Sequence, residues 1–128
     1  MPARAVALPV NRIAKFAQET PSALKEQAQM QLVLTYLENS TNVGAQYILG
    51  PSRGSRHLSQ ARQTLYYLLH ICFGMSYSRI AVLVQRDRTS VAHGIRHIED
   101  LRDSIIFDRQ LQFAEFAINA LFSSGDSS

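Results

Sequence analysis

Apolar residues recur along this chain with the spacing of helices. Leu24, Ala28, Leu32 and Tyr36 follow one another at every fourth position, and Val33, Leu34 and Leu37 widen that side. A helix is therefore expected over 22–37, entered through Thr20-Pro21-Ser22, where a hydroxyl can cap and proline suits the opening turn. Glu38-Asn39-Ser40-Thr41-Asn42 reads as its exit, and 45–49 is apolar but too short to assign. The first twenty residues show only one possible helical turn, at Ile13, Phe16 and Ala17.

Gly50-Pro51-Ser52-Arg53-Gly54-Ser55-Arg56 resists helix and is the clearest loop in the chain. Beyond it, a helix is predicted over 58–72, with Ala61, Leu65, Leu68, Leu69 and Cys72 inward and Gly74 suited to a C-terminal cap. Ser76 is placed to cap a short helix over 77–84, with Ile80, Leu83 and Val84 facing in. A tight Gln85-Arg86-Asp87 turn follows, and Asp87 is placed to cap a helix over 88–101 whose inward stripe is Val91, Ile95 and Ile98. A last amphipathic helix is expected over 105–122, carrying Ile106, Leu111, Phe113, Ala114, Ala117, Ile118 and Leu121. No β-alternation and no internal repeat is present. The expected organisation is an N-terminal helical segment at 1–50, a basic linker at 51–57, a helical domain at 58–122 and a frayed tail at 123–128.

A short helix, a tight turn and a longer helix, both packed on a third, make a helix-turn-helix. A rotation of about 100° per residue leaves Thr89, Ser90, His93, Arg96 and His97 opposite the aliphatic stripe of the longer helix. That outward face offers hydroxyls, imidazoles and a guanidinium, with no carboxylate before Glu99 and Asp100. Such groups can donate to purine acceptors and phosphates. Arg86 and Arg88 flank the N-terminus of the same helix, where recognition helices first meet DNA.

Charge sharpens this picture. The whole chain of 128 residues carries only +3, but residues 53–102 hold eight arginines against Asp87, Glu99 and Asp100, leaving +5 in the middle. Residues 1–52 come to +1 and residues 103–128 to −3. Double-stranded DNA is the polyanion expected to meet that middle. With 46% hydrophobic and 18% charged residues, a packed core is expected rather than disorder. No apolar run reaches the roughly 18–20 residues of a membrane span. Positions 5–10 are too short and interrupted to serve as a secretory h-region. Cys72 stands alone, so no internal disulfide can form, and a cytoplasmic, nucleoid-associated protein is expected.

Residues 61–101 resemble the C-terminal DNA-binding domain of DnaA, the bacterial chromosomal replication initiator. The resemblance is carried by Arg62-Gln63, Tyr67-Leu68, Ser76 and Ile80. It is strongest in Arg86-Asp87-Arg88-Thr89-Ser90-Val91, followed by His93 and Ile98-Glu99-Asp100-Leu101. The family's run there is Arg-Asp-His-(Thr/Ser)-(Thr/Ser)-Val-x-His. The resemblance implies an all-α helix-turn-helix fold of the initiator type, with the N- and C-terminal helices as additions. It also implies that Asp87, Arg88, Thr89 and Ser90 enter the major groove and that Arg62 and Gln63 touch DNA. Arg53 or Arg56 would reach the minor groove. Arg88 stands where the family has histidine, so a shifted base preference is expected. Gln85 stands where the family tends to have Gly-Gly, Arg79 where glutamate is common and Ala81 where glycine is common.

Full initiators also carry an ATPase module with a glycine-rich phosphate loop ending Gly-Lys-Ser/Thr. Here the only lysines are Lys15 and Lys25, and neither follows such a loop. The resemblance thus implies a stand-alone reader without cofactor that regulates replication initiation or transcription at initiator-box-like sites. His93 and His97 have the i, i+4 spacing of metal ligands, but Gly94-Ile95-Arg96 brings neither a glutamate nor a third ligand, so no metal is expected. No arrangement of nucleophile and base stands out, so an enzyme is not expected. The rival reading is a protein-interaction module holding a replication factor such as the initiator. Its basis is that helices 22–37 and 105–122 display more apolar surface than a three-helix core requires. They could cover each other in one larger core, or make a homodimer.

Overall fold

The computed structural model describes residues 21–52 and 54–126 and is helical, with no strand among them. The helices are α1 (Pro21–Thr41), α2 (Ala45–Ile48), α3 (Arg56–Phe73), α4 (Tyr77–Val84), α5 (Arg88–Leu101) and α6 (Ile105–Asp126). None is long and apolar enough to cross a membrane. The proposed cap Thr20 and the turn at Ile13, Phe16 and Ala17 lie outside the described residues.

Helix α1 runs four residues past its expected end. Its polar exit closes the helix from within: Thr41 Oγ1 donates to Leu37 O at 2.6 Å and Asn39 Nδ2 to Thr35 O at 2.9 Å. Asn42, at φ 62°, then turns the chain while its N–H bonds Glu38 O. Its buried face also differs from the expected row. Met30, Val33, Leu34 and Leu37 are buried, whereas Leu24, Leu32 and Tyr36 are half-buried and Ala28 is exposed. An i, i+4 row advances about 40° per step around a helix of 3.6 residues per turn, so it drifts off any one face. The alternating i, i+3, i+4 set stays. The ambiguous stretch after α1 becomes the short helix α2, anchored by buried Ile48.

Helix α3 is the centre, packed against all five others. Ser55 caps it by accepting Leu58 N–H, and Gly74 ends it in the left-handed region at φ 67°. Leu65, Leu68 and Leu69 are fully enclosed; Cys72 is half-buried. Ser76 caps α4 by accepting Arg79 N–H, and Asp87 caps α5 by accepting Ser90 N–H at 2.8 Å. Between them Gln85 holds φ 59°, and Arg86 N–H reaches back to Ala81 O. A left-handed position at this turn accounts for glycine being favoured there in the family that the sequence resembles. Ile80, Val84, Val91, Ile95 and Ile98 are buried as their spacing predicts, and Leu83 is half-buried.

One core contains side chains from both sides of the loop at 50–56: Met30 to Ile48 before it, Leu58 to Ile118 after it. That is the larger single core the sequence allowed. Among the described side chains of α6, Leu111, Ala114 and Ile118 are the buried ones. Ile106, Phe113 and Leu121, expected inward, are exposed, because α6 packs on α1 and α3 along one side only. Arg102 pins its start, reaching Asp108 and Glu115 at 2.6 Å each and the Tyr67 hydroxyl at 2.6 Å. The helix continues to Asp126, so part of the expected tail is helical; 127–128 lie outside the described residues.

Candidate nucleic-acid interface

The Asp87 cap fixes the first turn of α5 so that Arg88, Thr89 and Ser90 are all exposed at its N-terminus. One turn on, His93, Arg96 and His97 continue the same exposed side, while Val91, Ile95 and Ile98 lock the other into the core. The arrangement thus has an aliphatic back and a front of hydroxyl, imidazole and guanidinium groups.

That front is half of a groove. Its opposite wall is α3, through Ser59, Arg62, Gln63 and Tyr66, facing Thr89, Ser90, His93 and Arg96, with Arg86 at the edge. Around Ser59 and Gln63 the groove continues into a second depression bordered by Arg56, Gln60 and His97. Nine of the twelve residues named from the sequence therefore line one continuous surface: Arg56, Arg62, Gln63, Arg86, Thr89, Ser90, His93, Arg96 and His97. Arg53 lies outside the described residues.

Asp87 and Arg88 have other neighbours. One Asp87 oxygen is held by Ser90, whose backbone N–H and then hydroxyl keep the carboxyl below the ordinary carboxylate range. The Arg88 guanidinium stands 5.6 Å from the centre of the Tyr77 ring on α4, a cation–π contact.

The arginines divide by what already holds them. Arg62 donates through Nε to Ile48 O at 2.7 Å and through Nη2 to Tyr47 O and Gly50 O at 2.7 and 3.0 Å. Arg86 reaches the same Gly50 carbonyl through Nη2. Burial, then the neighbouring Arg86 charge, pull the Arg62 guanidinium below its usual value, yet arginine stays charged. Burial pushes the Tyr66 phenol up, against the pull of Arg86 and Arg62. These two arginines tie the end of α2 to the groove floor while adding positive charge to it. Arg56, Arg88 and Arg96 are exposed and free of such backbone clamps. Arg79, by contrast, is paired with Glu26 at 2.6 Å and belongs to the α1–α4 contact.

Four residues that line this surface were not named as site residues from the sequence: Ser59, Gln60, Tyr66 and Leu101. Gly94 lies where α5 crosses α3; a Cβ there would meet Gln63 Cγ at 3.0 Å and Tyr66 Cδ2 at 3.1 Å. A lone glycine inside a helical pattern was the available signal. No group of three His, Cys, Asp or Glu side chains among the described residues is placed to hold a metal ion.

The surface can donate many hydrogen bonds to a polyanion and presents little negative charge of its own. Residues 30–98, more than half of the chain, match the family described as the bacterial dnaA protein helix-turn-helix. No solved structure matches the chain.

Proposed function

From the premise that this chain belongs to the bacterial DnaA helix-turn-helix family, which binds double-stranded DNA, we propose that it reads initiator-box-like sites through α5. Thr89, Ser90, His93 and Arg96 enter the major groove in this reading, and Arg56, Arg62, Gln63, Arg86 and His97 meet the phosphates alongside. Arg88 reaches a guanine edge where family members carry histidine, so the preferred sequence differs from the initiator's own. Occupying such sites would regulate replication initiation, or transcription, on the chromosome.

The observation that carries this is the exposed hydroxyl, imidazole and guanidinium front of α5, facing α3 across one groove. Selection of bound sequences from random duplexes is the decisive test. A recovered consensus related to an initiator box, lost in the Thr89→Ala/Arg96→Ala variant, supports the reading. Enrichment of no sequence by the folded protein sinks it. The exposed apolar residues of α6 favour a second reading, an interaction module that holds a replication protein. Its signature is a lack of retention on DNA at low salt, whereas DNA affinity of the reader falls steeply as salt rises.

A further inference from the structure

Helix α6 is apolar on two opposite sides, and the core accounts for only one. At about 100° per residue, Leu111, Ala114 and Ile118 share the inward side, while Ile105, Ile106, Phe113 and Phe116 gather on the other. These four are 66%, 69%, 64% and 72% exposed. Together they leave on the order of 500 Å² of apolar side-chain surface along one side, a size at which patches are commonly interaction sites. Exposed Arg109 stands between the isoleucine and phenylalanine pairs of this strip. With its polar rim the strip approaches the ~800 Å² per partner of a standard interface.

We propose that this strip is the interface between two copies of the chain, and that the resulting dimer holds two DNA duplexes apart and together. A second copy fits for three reasons. Ile106, Arg109, Phe113, Phe116 and Ala120 follow the alternating three- and four-residue spacing with which helices pack side by side. The nearby acidic groups do not oppose self-contact, since Asp108 and Glu115 are both turned to Arg102. An antiparallel two-fold pairing centred between Phe113 and Phe116 also puts the two Arg109 side chains at opposite ends.

The direction of the strip decides the consequence. On α3, His57 and Thr64 border the depression shared with α6, whereas Ser59, Arg62 and Tyr66 border the α5 groove. At about 100° per residue these sets lie on opposite sides of α3. A pair joined through α6 therefore turns its two grooves away from each other, which suits bridging of separate duplexes rather than neighbouring half-sites on one. The bridging rests on the DNA-binding reading; the self-association does not.

Sedimentation of the full chain tests the interface without DNA. The expected result is twice the chain mass in the high-micromolar range, and the single-chain mass for Phe113→Ser/Phe116→Ser with unchanged helical melting. A wild type that stays monomeric, or a variant that dimerises equally well, overturns the interface. Removing residues 1–20 should leave the dimer unchanged; a dimer seen only after removal shows that this segment occupies the strip and also overturns it. For bridging, beads carrying one duplex should capture a second, labelled duplex through the wild type. The variant should lose at least tenfold of that capture while binding single duplexes equally. A dimer that binds single duplexes and captures no second one overturns the bridging. If no single duplex binds, the DNA reading fails and bridging with it, while sedimentation still judges the interface.

Discussion

Gly94 of α5 lies against Gln63 of α3, so that a methyl group at Gly94 would come within 3.0 Å of the Gln63 side chain. Tyr66, 3.1 Å from the same point, is buried and cannot retreat, although Gln63 can. Alanine elsewhere in a helix interior gains about 1 kcal/mol over glycine. Here that gain is expected to be cancelled, and Gly94→Leu to lose roughly 1–3 kcal/mol by overpacking. Urea denaturation measures both. A Gly94→Ala protein stabilised by the full helical increment would show that α3 and α5 have room to spare.

This contact shows how far sequence alone reached. The helix-turn-helix was legible because its punctuation is local: Ser76, Gly74 and Asp87 each act within a few residues of where they stand. The face of α1 was misplaced because a long i, i+4 row suggested a stripe that helical geometry does not keep straight. Outward Phe113 and Phe116 share the period of inward Ala114 and Ile118, so periodicity alone could not say which side meets the core. The clamp of Arg62 and Arg86 on Gly50 was invisible for another reason. It joins residues 12 and 36 positions apart, through carbonyls that any sequence possesses.

Arg62 should consequently matter to the fold before it matters to any ligand. Arg62→Ala leaves the carbonyls of Tyr47, Ile48 and Gly50 without this donor. Hydrogen bonds from a charged group contribute about 1.5–3 kcal/mol, so a stability loss of that order is expected. Arg96→Ala, on an exposed side chain, should change stability by less than about 0.5 kcal/mol. Equal stability losses in the two variants would mean that the clamp contributes nothing.

On DNA the order of arginines should differ. Arg56→Ala is expected to weaken all sequences and to lower the salt slope by about one, through the loss of a phosphate contact. Arg88→Ala should cost about 1–3 kcal/mol on the preferred sequence and little on others, and Arg88→His should move the preference toward family sites. Titrations of matched and mismatched duplexes at several salt concentrations separate these effects. A uniform loss for Arg88→Ala would reassign it to phosphate.

Cys72 should resist chemistry until the protein opens. Burial, then the charge of Glu115, push its thiol up to about 11. Against an ordinary cysteine, the reactive thiolate at pH 8 is scarcer by roughly a hundredfold. Alkylation of the folded chain should be slowed at least that much and restored in urea. Fast labelling without denaturant would mean that neither partial burial nor Glu115 keeps the thiol protonated.

The Asp87 cap makes the reading helix sensitive to acid, and the sign follows from its depressed pKa. Because the folded state holds this carboxyl below the ordinary carboxylate range, its stabilisation is present at neutral pH. That stabilisation is lost as pH falls through the folded value. The wild-type curve sums the protonation of every carboxylate in the chain, so it alone cannot isolate this one. Asp87→Asn keeps an acceptor for the Ser90 N–H but has no charge to lose, since asparagine also caps helices well. The stability difference between wild type and Asp87→Asn, followed from pH 7 to about 3 by urea midpoints, should therefore move in favour of asparagine as acid increases. Asp87→Ala, which removes the acceptor itself, should be the weaker of the two variants throughout. A wild-type advantage over asparagine that stays constant across that range would mean the Asp87 charge plays no part in holding the start of α5.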